Sequence, residues 1–209
     1  MAIAVLIMGA SGTGKSASMR NFKADEIGVI NVAGKPLPFR SDIRTFPSDR
    51  YEEIEQILKK AKVKSLVIDD SQYLMANEFM RRASENGFQK FTDIGRNFWS
   101  LVDMINHELP SDVIVYFMQH TELDANGNEK AKTIGKLLDE KITLEGLFSI
   151  VLKTSVVDGS YMFATKNSGA DTVKTPMGMF EEDLIPNDLK AVDERIREYY
   201  GLGEEEEKK

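Results

Sequence analysis

With 209 residues, 42% hydrophobic and 29% charged, the chain is long enough for one α/β domain with a sizeable core and too apolar to be disordered throughout. It has no cysteine, which excludes disulfides, thiolate metal sites and cysteine nucleophiles and suits a reducing cytoplasm; two histidines, His107 and His120, are too few for a histidine-rich metal site. A net charge of −7 confines any nucleic-acid contact to a local patch, and no apolar run is long enough to span a membrane.

Ala2–Met8 is almost wholly apolar and reads as a central strand of a parallel sheet. It lacks a basic region before it and runs straight into a glycine-rich loop, so it does not read as a leader peptide. That loop, Gly9-Ala10-Ser11-Gly12-Thr13-Gly14-Lys15-Ser16, fits the phosphate-binding pattern G-x-x-x-x-G-K-[ST] at every fixed position. Gly9, Gly12 and Gly14 are expected to take backbone conformations closed to residues with a side chain. The amides of the loop, through Ala17, can then face an anionic polyphosphate, aided by the start of a helix expected over Lys15–Phe22. Lys15 supplies a mobile positive charge for the β- and γ-phosphates, and the Ser16 hydroxyl suits Mg²⁺. The ligand these residues call for is a nucleoside triphosphate with its magnesium.

Beyond the loop, Ile27–Val32 reads as a strand, and Ala33–Pro47 as an irregular crossing with an extended piece at Ile43–Phe46. Ser48 or Asp49 is expected to cap a helix over Tyr51–Lys62, with Ile54, Ile57 and Leu58 on one face. Ser65–Asp70 is an apolar strand ending in two acids. Asp69 is placed to hold Mg²⁺, and Asp70 to orient or deprotonate a water, or else to cap the next helix. Helices are expected over Ser71–Asn86 and Phe88–Leu109, the second with a core stripe of Phe91, Ile94, Phe98, Leu101, Val102 and Ile105, and with Trp99 in core or interface.

Asp112–Gln119 is a further buried strand whose tip carries Gln119 and His120, of which alternation lets only one face a ligand at the carboxyl edge of the sheet. A polar stretch, Glu122–Gly135, follows with an Asn126-Gly127 turn. Asp124, Asn126 and Asn128 do not match a calcium loop, because glycine stands at the wrong position and the terminal glutamate is missing. Lys130, Lys132 and Lys136 make this stretch a candidate nucleic-acid contact or an ordinary surface hairpin. Leu147–Val157 and Ser160–Thr165 form a hairpin around Asp158-Gly159. After it come a polar segment with Lys166 and Lys174, in which Met177 and Met179 are expected to pack, and a helix over Pro186–Tyr200 with Asn187 or Asp188 near its start. Residues 1–202 read as one domain, and 203–209 as a solvated charged tail.

This order of parts resembles a RecA-type ATPase core. More narrowly, it is similar to the small phage-encoded RecA-like ATPases that accompany single-strand DNA-binding proteins and act in strand annealing and recombination. The resemblance rests on Gly9–Ser16, with Leu66–Asp70, Gln119-His120 and Lys174-Thr-Pro-Met-Gly178 in support. It implies a mostly parallel sheet flanked by helices with a C-terminal antiparallel hairpin, ATP hydrolysis at the interface of a ring or filament, and a lysine from the neighbouring subunit, Lys166 or Lys174, reaching the γ-phosphate. It further implies single-stranded DNA as partner at Glu122–Lys136, and location in the cytoplasm of a bacterial host. RecA carries a water-activating glutamate at the end of an early strand, whereas Ile27–Gly34 ends in Asn31-Val-Ala-Gly with no acid. The alternatives are a small-molecule kinase, whose arginine-bearing lid is missing from Glu122–Leu138, and a scaffold that uses ATP to set its assembly state.

Overall fold

Short apolar runs rich in Val, Ile and Leu become the strands of a buried sheet, and the amphipathic stretches between them become its covering helices. The structure, a computed structural model, describes residues 1–203, so the tail expected over 203–209 lies outside the described residues except for Gly203. The strands are β1 (Ile3–Met8), β2 (Ile27–Asn31), β3 (Thr45–Pro47), β4 (Ser65–Asp69), β5 (Ile114–Gln119), β6 (Thr121–Leu123), β7 (Glu129–Ala131), β8 (Ile150–Val157), β9 (Ser160–Ala164) and β10 (Leu184–Pro186). The α-helices are α1 (Tyr51–Lys60), α2 (Gln72–Arg81), α3 (Gln89–Glu108) and α4 (Leu189–Tyr200).

Eight strands form one sheet in the order β10-β9-β8-β1-β5-β4-β2-β3. From β8 to β3 all neighbours are parallel; β9 turns back on β8, and β10 on β9, antiparallel. The fold is therefore α/β, with a mostly parallel sheet flanked by helices and an antiparallel hairpin at one side. Strands β6 and β7 form a separate two-stranded sheet around the Asn126-Gly127 turn, and Glu129 of β7 also bridges Asp171. No helix among the described residues is long and apolar enough to cross a membrane.

Alternation along β1 shows how the sheet divides the core. Leu6 and Met8 pack with Ile54, Leu74 and Phe98 on the face covered by α1, α2 and α3. Val5 and Ile7 pack with Met19, Val192 and Ile196 on the opposite face, under α4. Along α3, Ile94, Phe98, Leu101, Val102 and Ile105 are buried, as their spacing predicts, whereas Phe91, expected in the same stripe, is half-buried against Phe79 (5.6 Å between centroids); Phe98, Phe117 and Phe148 pack in series at centroid distances of 5.7 and 5.3 Å. Met179 is in the core while Met177 is exposed, and Trp99 is 38% exposed and so outside the core. A buried polar knot fastens α4: Asp193 accepts from Tyr116 Oη (2.8 Å), Ser65 Oγ (2.8 Å) and Arg197 Nε (2.7 Å).

Two local expectations are corrected, and an open one is settled. The helix predicted over Lys15–Phe22 is a six-residue 3₁₀ turn, Ser16–Asn21. The Ser18 hydroxyl donates to Lys15 O (2.6 Å) and Arg20 to Ala17 O (3.1 Å), so polar side chains occupy carbonyls that a longer helix would use. Neither Ser48 nor Asp49 caps α1, whose first flanking residue is Arg50. The Asp49 carboxylate is held by Arg81 and Asn77, and the Ser48 hydroxyl donates to Glu53. At α4 it is Asp188 that caps, accepting from Lys190 N and Ala191 N, and Asn187 does not.

Candidate functional site

Parallel pairing of β1 with β5 aligns Met8 with Gln119, so the loop after Met8 begins level with the tip of β5, at the carboxyl edge of the sheet. Gly9 N anchors it by donating to Gln119 O at 3.1 Å. Gly12 (φ 80°) and Gly14 (φ 97°) take the left-handed conformations expected of them. Gly9 does not. Its reason is space, since a Cβ there would stand 2.0 Å from Thr154 Oγ1 and 2.8 Å from Thr13 Oγ1. Those two hydroxyls lie 2.6 Å apart and tie the loop to β8. Among the described residues, none of the amides from Ala10 to Ala17 makes a hydrogen bond of good geometry, which leaves a run of donors for an anion.

Lys15 folds back over this loop, its Nζ donating to Gly9 O (2.7 Å) and Ala10 O (2.8 Å). Burial lowers its pKa to about 8 against the opposing pull of Asp70 and Asp69. Ser16 Oγ donates to Asp69 Oδ1 at 2.8 Å, bridging 53 residues of sequence. Burial pushes the Asp69 carboxyl up to about 6, opposed by the Ser16 hydrogen bond and reinforced by the charge of Asp70. A hydroxyl and a desolvated carboxylate side by side fit a hard divalent cation. Among the described residues there is no cluster of three or more His, Asp or Glu of the kind an all-protein metal cage needs.

Asp70 follows in a left-handed backbone conformation (φ 58°), unusual for a residue other than glycine. Its carboxylate meets Lys35 Nζ at 3.1 Å and His120 Nε2 at 3.5 Å. Both partners gather on Tyr73: Lys35 lies 5.1 Å from its ring centre, and His120 meets it edge-on at 6.5 Å. Burial, then the charge of Lys15, lowers the His120 pKa and favours the neutral ring. The cap alternative for Asp70 is not realised: α2 starts at Gln72 with no side-chain cap.

Gln119 and His120 divide as alternation requires. Gln119 is fully buried; its Oε1 accepts from Ser71 Oγ (3.0 Å) and its Nε2 donates to Lys132 O (2.7 Å), at the base of the β6–β7 hairpin. His120 alone faces Asp70.

The lysines sort unevenly. Lys130 is paired with Asp139 and lies 3.8 Å from Glu122, and the exposed Lys136 is 3.3 Å from Glu140. Lys132 makes no ion pair among the described residues. Lys166 is held by Asp183 (2.7 Å) and Glu181 O (2.7 Å). Lys174 is exposed, its backbone bridging Val151, and it has no ion pair among the described residues. Lys153, passed over in the sequence, is largely covered (16% of its side chain exposed) between Glu129 (2.9 Å) and Asp171 (2.8 Å).

Lys35 and Tyr73 are the site residues that sequence reasoning missed. Lys35 follows the very stretch, Asn31–Gly34, searched only for an acid. The register Asn31↔Asp69 sets that stretch beside β4, and Asn31 Nδ2 holds the turn by donating to Lys35 O at 2.6 Å. A cavity of about 930 Å³, lined by Ile27, Phe46, Ile57 and Leu66 among others, opens at the starts of β2 and β4, the end of the sheet away from the loop. It takes no part in this constellation. No protein-family model matches the sequence, and no curated protein is significantly similar to it.

Proposed function

We propose that the chain binds Mg²⁺–ATP in the loop Gly9–Ala17 and hydrolyses it, as a RecA-like ATPase. The observation that carries this is the Ser16–Asp69 contact at 2.8 Å beside a loop of unused amides crossed by Lys15. The hydroxyl and the carboxylate expected to hold magnesium thus stand at hydrogen-bonding distance. Strand β5 also stands between the strand bearing the loop and the strand bearing the acids, where a RecA-type core has its sensor strand.

Ser16 and Asp69 would hold Mg²⁺, which when bound neutralises charge on the β- and γ-phosphate oxygens. Lys15 and the loop amides offset the charge that develops on the transferred group. A water oxygen attacks the γ-phosphorus in line, its proton passes to Asp70, and the bond to the β–γ bridging oxygen breaks to release ADP and phosphate. Lys35 and neutral His120 hold Asp70 in place; Asp70 thus takes the task for which β2 supplies no acid.

Release of phosphate would be felt first at His120. Its neighbour Gln119 carries the change to Lys132 O and the β6–β7 hairpin. We further propose that this hairpin meets single-stranded DNA and that the nucleotide sits between subunits of a ring or filament, with Lys174 the lysine free to act across the interface. The test is ATP turnover of the purified chain with and without single-stranded DNA. Turnover stimulated by the strand is expected. Turnover that needs a small phosphate acceptor instead would make the chain a kinase, and no turnover under either condition would end the ATPase proposal.

A further inference from the structure

One polar side chain against the phosphate loop has nothing to bond. Asn187 is 2% exposed, and among the described residues neither its Nδ2 nor its Oδ1 has a hydrogen-bond partner. Both atoms lie 3.3 Å from the point where a Cβ on Gly14 would be. The rest of the segment is satisfied. Asn187 N donates to Tyr161 O (3.1 Å), its carbonyl accepts from Arg20 (2.7 Å), and Asp188 caps α4 while accepting from Asn21 (2.7 Å). The backbone is thus clamped on both sides, and the carboxamide is pinned flat beside the loop. A buried amide with both ends unpaired is costly, and a site that keeps one invites a ligand that completes it.

The group it can complete is narrow in chemistry. An amide is neutral and presents a donor and an acceptor side by side. A phosphate oxygen can accept from Nδ2 but leaves Oδ1 unpaired, so the polyphosphate completes only half of the amide. A nucleobase edge with one donor and one acceptor takes both ends at once. On the edge that carries N7, adenine offers this as N6–H with N7, where guanine shows two acceptors, N7 and O6.

Over the same spot lies Tyr161, on the β8–β9 hairpin just past the Asp158-Gly159 turn. Its Cδ1 is 2.9 Å from the Gly14 Cβ point, yet the residue is 52% exposed. The exposed ring and the amide thus meet at the same point of the loop, where the ring can offer a face to a base. We propose that Asn187 reads the adenine of the bound nucleotide through its carboxamide, with Tyr161 stacking on the base. This rests on the nucleotide reading above and adds to it the residue that selects the base.

The experiment is equilibrium binding of three magnesium-loaded probes: ATP, purine riboside triphosphate (ATP without the 6-amino group) and inorganic tripolyphosphate. They are titrated into the wild type, Asn187→Ala and Tyr161→Leu. Wild type is expected to bind ATP about tenfold more tightly than the analogue lacking N6, the usual scale for losing one partner of a buried hydrogen bond. Asn187→Ala should bind the two alike, and Tyr161→Leu should weaken both together. Tripolyphosphate should bind all three proteins equally. Wild type that does not distinguish ATP from the analogue overturns the proposal without recourse to any variant, as does Asn187→Ala that keeps the preference. Tripolyphosphate binding with no gain from a base overturns it too and leaves the phosphate loop standing, whereas wild type that binds none of the three removes the nucleotide site and this inference together.

Discussion

His120 Nε2 stands 3.5 Å from Oδ1 of Asp70, across the adjacent tips of β5 and β4. With Lys35 on the other oxygen at 3.1 Å, the carboxylate is steered by two groups from two other segments. A carboxylate so fixed, in a left-handed backbone conformation next to Asp69, suits a water-orienting base. We expect Asp70→Asn to lower ATP turnover by about 100-fold, within the usual range for removing a general base, with nucleotide affinity little changed. Single-turnover kinetics alongside binding titration separates the two. Wild-type turnover in this variant would return Asp70 to a structural role.

Gly9 is needed for space. We expect Gly9→Ala to destabilise the fold by about 1–3 kcal/mol, the common cost of forcing a methyl into a packed site, because its Cβ would meet Thr154 Oγ1 at 2.0 Å. Thr154→Ala removes that oxygen, so the double variant should recover part of the loss in a denaturant melt. Full additivity of the two losses would show that the clash is not at Thr154.

The pair Lys153–Asp171 sets an acid limit on stability. Burial alone would raise the Asp171 pKa, but Lys153, the Ser168 hydroxyl and the Val173 amide together hold it below the ordinary carboxylate range. A carboxyl depressed on folding contributes stability above its unfolded pKa, and that contribution is lost as pH falls through the folded value. Thermal melts of wild type and Asp171→Asn should therefore differ most at pH 5–7, begin to converge as pH falls below about 4, near the unfolded carboxyl pKa, and meet only below the depressed folded value. Parallel curves across that window would exclude the linkage.

Among the lysines proposed for DNA, structure separates those that are free from those already engaged. We expect Lys132→Ala to weaken single-strand binding and reduce its salt slope by about 0.7, the value for one phosphate contact on a single strand. Lys130→Ala should chiefly loosen the hairpin, since Lys130 is tied to Asp139 and Glu122. Salt-series binding with a hairpin-sensitive melt would tell them apart; an unaltered slope for Lys132→Ala removes this surface from the interface.

The positions of β1, β2, β4, β5, β8 and β9 and the glycine-rich loop were legible in the sequence because each follows from local pattern, whereas the short strands β6, β7 and β10 were not. Apolar runs of strand length mark a sheet buried on both faces, and the glycine–lysine spacing has one main structural use. What stayed hidden depends on contacts between distant segments. Lys35 acquires its role only because β2 lies beside β4, and Asn187 only because the loop before α4 reaches Gly14. Likewise the shortened turn after Lys15 reflects hydroxyl-to-carbonyl bonds that compete with a helix, which propensity alone does not decide. The cap of α1 failed for a similar reason: Asp49 was the better local choice, but Arg81 and Asn77 from α2 claimed it.

The most direct check is a calorimetric titration of magnesium-loaded, slowly hydrolysed ATP analogue into the wild type and Lys15→Ala, each also with Mg²⁺ chelated. We expect saturable one-site binding by the wild type, weakened by chelation and by loss of the Lys15 charge. Heat traces without binding, or an affinity indifferent to both Lys15 and magnesium, would contradict a triphosphate held between this loop and Asp69.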